Sequence, residues 1–111
     1  MKLAISFLIT NGTHLILEDD LPPSISIENS LNEAKEQFLK QEFALTGEWC
    51  KSVKLLGFIE KNETLYLFMG VFVPENFSLS SKYNWTPITS LTKVINNRDL
   101  YFLILSFLDS L

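Results

Sequence analysis

The sequence predicts an α+β domain: an antiparallel or mixed sheet with helices on its faces. Three observations predict it. Two β-rich runs, Lys2 to Thr10 and Thr13 to Glu18, flank Asn11-Gly12, the strongest short hairpin signal. Ser30-Leu31-Asn32-Glu33 matches a capping box, in which serine and glutamate reciprocally satisfy free amides at a helix start. The resulting order of strand, strand, helix, strand, strand, loop and helix departs from the strict alternation of a parallel α/β sheet.

The elements follow in turn. Asp19-Asp20-Leu21-Pro22-Pro23 stops the second strand, because two adjacent prolines cannot both sit in a central ladder. The first helix is expected from about Leu31 to Leu45, closed by Thr46-Gly47. Ser52 to Glu60 and Thr64 to Val73 read as strands joined by the polar turn Lys61-Asn62-Glu63, and Pro74 ends the second. Glu75 to Thr92 reads mostly as loop, with a short extended piece around Trp85, and Asn97 caps a last helix reaching Leu111. That helix has almost no polar face. Cover on two sides is expected: the sheet on one, a second copy of the chain on the other, with Leu103, Phe107 and Leu111 at the interface of a homodimer. Burial wholly within one chain is the alternative.

Composition narrows the function classes. At 111 residues the chain is read as one domain, 1–111. With 47% hydrophobic and 20% charged residues it is too apolar for disorder, and its apolar runs, such as Leu100 to Leu105, are too short for a membrane span. Thirteen acids against nine bases give a formal charge of −4, which argues against a nucleic-acid partner. Cys50 is the single cysteine and His14 the single histidine, so a Cys/His zinc centre is excluded by count. His14 lies in an alternating apolar stretch with no partner motif and reads as an ordinary strand or turn residue. Met1-Lys2 before an apolar run resembles a secretory leader, but no small-residue cleavage site follows and the run leads into Asn11-Gly12. A first strand, and a cytoplasmic chain, are expected; four N-x-S/T sequons then carry no meaning beyond an asparagine-rich composition.

On a helical wheel with Leu31 at zero, Ala34, Phe38 and Leu45 fall within about 60° of it, and so does Glu42. A carboxylate on an apolar face is costly unless paired, metal-bound or open to a cleft. Glu42 either reaches solvent or a lysine such as Lys54, or is a functional carboxylate.

The segment from Leu21 to Leu45 resembles a Nudix box, whose pattern is G-x5-E-x7-R-E-U-x-E-E-x-G-U with U aliphatic. Leu21-Pro22-Pro23 stands at the turn, Asn29-Ser30-Leu31 at the helix start, and Gln37-Phe38-Leu39-Lys40-Gln41-Glu42-Phe43-Ala44-Leu45 fills the REUxEExGU stretch without a gap. Trp85-Thr86-Pro87-Ile88 to Leu91 is similar to the W-x-P-L…L segment ahead of a terminal helix. The resemblance covers nearly the whole chain in element order and implies a short Nudix-like α/β/α sandwich.

It also implies a chemistry. Nudix hydrolases cleave a diphosphate linked to another moiety, with Mg²⁺ or Mn²⁺ held by box glutamates. At those ligand positions stand Phe38, which has no side-chain oxygen, Gln41, which is neutral, and Glu42, the one acid. Gln37 replaces the orienting arginine, Asn29 the first glutamate, and Pro23 and Ala44 the two glycines. Asp19, Asp20, Glu60, Glu63 and Glu75 lie at strand ends or loops, where an auxiliary base sometimes sits in the family, but read more simply as solvated acids. The resemblance thus implies a catalytically degenerate module that binds a nucleotide or a protein partner without a cofactor. Gln37, Phe38, Gln41 and Glu42 are its candidate ligand contacts, and Phe38 either stacks on a ring or fills the core. The alternatives are a weak pyrophosphohydrolase using Mg²⁺ or Mn²⁺ with Glu42 among relocated ligands, and a structural homodimeric adaptor.

Overall fold

A computed structural model describes residues 1–18, 21–43, 53–75, 77 and 83–111, apart from the side chain of Glu42. Among them are six strands: β1 (Lys2–Thr10), β2 (His14–Leu17), β3 (Ser24–Ser26), β4 (Lys54–Lys61), β5 (Thr64–Phe72) and β6 (Asn84–Pro87). The helices are α1 (Leu31–Phe43), the short α2 (Leu91–Val94), entered through a 3-10 turn at Ile88–Ser90, and α3 (Arg98–Asp109). The strands form one mixed sheet in the order β4-β5-β1-β2-β6, with β3 also on β1.

The hairpin forms where Asn11-Gly12 predicts it. Asn11 Oδ1 accepts from the backbone N–H groups of Thr13 (3.0 Å) and His14 (2.9 Å), an Asx turn that leaves Gly12 at a φ of 101°. Thr10 Oγ1 donates to the His14 carbonyl at 2.7 Å and accepts from Gly12 N–H at 3.0 Å, so the strand-end hydroxyl closes the loop.

β1 is the axis of the molecule. Along its whole length it pairs with β5 in parallel, from Lys2↔Thr64 to Thr10↔Phe72. Its other edge is shared by β2, at Thr10↔Leu15, and β3, at Ala4↔Ser26 to Ser6↔Ser24, both antiparallel. A central strand covered on both faces must be apolar on both, which is why Ala4 to Thr10 is an unbroken buried run. Ile5, Phe7 and Ile9 face α1, in one core with Met69 and Val71 of β5. Leu8 looks the other way, into a second core with Phe68, Leu100, Ile104 and Phe107. The result is the expected α/β/α sandwich.

Two details differ from what the sequence predicts, and two expected boundaries fall outside the described residues. No element is expected between Pro23 and Ser30, yet β3 forms there because the chain is stitched to β1 by Phe7 N–H to the Pro23 carbonyl (2.9 Å) and Ile27 N–H to the Leu3 carbonyl (2.9 Å). The Ser6 and Ser24 hydroxyls also bond to each other at this junction. The expected helix end at Leu45 with Thr46-Gly47, and the expected start of a strand at Ser52, lie outside the described residues.

The second difference is a correction at the C-terminus. Asn97 caps α3 as expected, its Oδ1 accepting from Leu100 N–H at 3.0 Å. Phe107, expected at a self-association surface, is only 6% exposed and packs on β5. The contact is so close that a Cβ built on Gly70 would stand 2.5 Å from its ring. Leu103 is half-buried against Gly57 of β4, and of the three named interface residues only Leu111 is exposed, at 56%. The sheet itself supplies the partner for this side of the helix. No helix among the described residues is long and apolar enough to cross a membrane.

Candidate functional site

The site is built around α1, which Ser30 starts. Its Oγ accepts from Glu33 N–H at 3.1 Å, the serine half of the capping box. Because β3 is bound to β1 just before this point, the first turn of α1 is held against the sheet edge. Ala34, Phe38, Leu39 and Phe43 point to the sheet and are buried. The opposite side carries Glu33, Glu36, Gln37, Lys40 and Gln41, all exposed.

A groove of about 470 Å³ lies between β3 and α1, lined by Ser24, Ile25, Ser26, Glu28, Asn29, Ser30, Glu33, Ala34 and Gln37. A second hollow of about 460 Å³ continues along the helix over Glu33, Glu36, Gln37, Lys40 and Gln41. Gln37 and Glu33 line both. The lining is made of hydroxyls, amides and three carboxylates, those of Glu28, Glu33 and Glu36, with Lys40 as its cation. Such a surface offers hydrogen bonds in both directions and a negative field, which suits neutral polar or cationic groups better than bare phosphates.

The four residues expected to contact a ligand do not all meet there. Gln37 and Gln41 do, side by side on the open face of α1. Phe38 does not. It is 7% exposed, stacked on Phe7 with ring centroids 5.1 Å apart and the planes 13° from parallel, and its other edge meets Phe43 at 5.8 Å. Of the two readings of Phe38, core filling is the one its surroundings match, and the expectation that it opens to a ligand is corrected. The reason is that Phe7, at the centre of β1, lies directly beneath the third turn of α1 and offers an aromatic face. Glu42 belongs to α1, but its side chain lies outside the described residues.

The other acids are scattered. Glu60, Glu63 and Glu75 are exposed at strand ends, and Asp19 and Asp20 lie outside the described residues. Among the described residues no three of the His, Cys, Asp and Glu side chains come together in a way that could hold a metal ion. His14 is half-buried in β2 with Nδ1 2.9 Å from the Thr13 hydroxyl, as befits a turn residue. The wall formed by Ser24 and Ser26 was missed by the sequence reading. Its signal was present in the alternation Ser24-Ile25-Ser26-Ile27, which has the period of a half-buried strand.

No family model matches the sequence, and no curated protein matches it. Solved structures do match the fold, over nearly the full length. A MutT from a comparison of Aliivibrio salmonicida and Vibrio cholerae superposes with a TM-score of 0.72 at 14% identity, over 95% of this chain and 96% of that one. A NUDIX-family hydrolase from Clostridium perfringens gives a TM-score of 0.57 at 15% identity, over 97% and 96%. The C-terminal domain of mouse MUTYH, from its complex with human PCNA, gives 0.68 at 11% identity, over 96% and 88%. The mixed sheet around β1, the helix on either face and these full-length likenesses lead to one conclusion: the chain has the Nudix hydrolase fold.

Proposed function

We propose that this chain is a Nudix-fold binding module that has given up hydrolysis and holds a nucleotide-like ligand in the groove between β3 and α1. One observation carries the reading: the neutral amide of Gln37 lines that groove and that of Gln41 the hollow continuing it along α1, while the neighbouring position, Phe38, is spent on the core. Mg²⁺ or Mn²⁺, which the fold implies, needs several anionic oxygens converging on one point. The described donors do not fit that need, so no hydrolytic step is assigned to them. Amides and serine hydroxyls instead pair well with the edges of a base or a sugar. The acidic lining disfavours a polyphosphate tail and points to the nucleoside end as the part recognised.

The test is a thermal-melt screen of the chain against nucleosides, nucleotides, dinucleotides and nucleotide sugars, each with and without Mn²⁺. A ligand present at 100 times its Kd stabilises the native state by about 2.7 kcal/mol, which raises the Tm of a domain this size by roughly 10 to 20 °C. A metal-independent rise that Gln37→Ala abolishes is the expected result. A rise that needs Mn²⁺, with turnover lost in Glu42→Gln, would replace the proposal with a pyrophosphohydrolase. No rise with any ligand would favour the second reading, a protein-interaction module. That reading draws on the MUTYH domain, which shares the fold and was solved in a complex with another protein.

A further inference from the structure

The outward side of α3 carries a pattern that its packing on the sheet does not use. Arg98, Phe102, Leu105 and Asp109 are all exposed, Phe102 by 53% and Leu105 by 36%. At about 100° per residue they fall within an arc of roughly 60°, opposite the buried Leu100, Ile104 and Phe107. The four form a straight stripe about 16 Å long, a cation at one end, an anion at the other and two large apolar groups between. Gly12 and Ile88 border it, extending the apolar surface into a shallow groove of about 620 Å³.

The stripe is its own complement. Turned end for end about a point between residues 103 and 104, it places Arg98 opposite Asp109, Phe102 opposite Leu105, and each of the reciprocal pairs likewise. The two charges also stand at the wrong ends of their own helix. Arg98 is in the first turn, where the macrodipole is positive, and Asp109 is in the last, where it is negative. Within one chain Arg98 settles over the Phe102 ring at 5.5 Å. Beside an antiparallel second copy, each charge would meet both an opposite charge and the favourable pole of the neighbouring helix.

We propose that the chain self-associates through this stripe as a two-fold dimer, the α3 helices antiparallel, with Arg98 of each copy paired to Asp109 of the other. A surface of this size, with two charge pairs at its rim, makes a weak and salt-sensitive dimer rather than an obligate one.

Sedimentation velocity over a concentration series tests it. The wild-type chain should move from one-chain to two-chain mass as concentration rises. Arg98→Asp and Asp109→Arg should each weaken association tenfold or more, because in either homodimer both ends bring like charges together. Mixing the two variants should restore a dimer, since every end of that heterodimer is again an opposite pair. Leu105→Glu, which keeps both original charges, should also be monomeric, and circular dichroism melts of all three should show the wild-type fold. Three outcomes would overturn the proposal: a wild type that stays at one-chain mass at its highest soluble concentration, single-charge variants that associate like the wild type, or a mixture that stays monomeric.

Discussion

Asn62 and Glu63 illustrate how one residue can oppose its own turn. They link β4 and β5 as a two-residue hairpin with φ of 52° and 63°, so both occupy the left-handed region. Asparagine tolerates this, but a glutamate there has its Cβ close to the next carbonyl, at a cost of about 1 kcal/mol. The preferred second residue of such a turn is glycine. Glu63→Gly should therefore stabilise the chain by about 0.5 to 1 kcal/mol, the gain reduced by the freedom glycine restores to the unfolded chain. Urea denaturation would show it as a higher midpoint with an unchanged slope. Gly70 is the opposite case: the residue suits its place because nothing larger fits beneath the Phe107 ring.

At the scale of the element, α1 divides structure from recognition between its two sides. Ala34, Phe38, Leu39 and Phe43 hold it to the sheet, while Gln37 and Gln41 contribute little to that packing. The two sides should separate by mutation. Phe38→Ala removes a buried ring from between Phe7 and Phe43 and should cost about 3 to 5 kcal/mol of stability. Gln37→Ala, at an exposed position, should leave stability within about 0.5 kcal/mol while changing any ligand-induced melting shift. Paired melts with and without a ligand found in the screen would distinguish them. Equal loss of stability in both variants would show that Gln37 supports the fold and does not serve the groove.

For the whole molecule, the layered plan makes β1 the last element to open. It is bonded on both edges and covered on both faces, so no local fluctuation exposes it. Its central amides, from Ile5 to Ile9, should exchange with solvent only through global unfolding, whereas those of β6, which is four residues long and at the sheet edge, should exchange through local opening. Hydrogen exchange followed by mass spectrometry would test this ordering. Exchange of β1 as fast as that of β6 would contradict the central place given to it.

The sequence by itself determined the parts that rest on short-range chemistry. The Asn11-Gly12 hairpin, the Ser30 and Asn97 caps and the turn at Asn62-Glu63 depend on bonds within three or four residues, and each appears where its residues predict it. The gapless run from Gln37 to Leu45 also made the Nudix likeness legible, because element order survives when side chains change. Only the tertiary structure decided which side of each apolar helix is inside. Periodicity groups the residues of α3 by side, but nearly every side is apolar, so nothing local says that Phe107 turns to the sheet and Phe102 to solvent. The same is true of Phe38, whose use depends on Phe7 lying beneath it. β3 too exists through bonds to a strand some twenty residues earlier in the chain. Such choices depend on contacts between distant segments, and those contacts exist only once the sheet has formed.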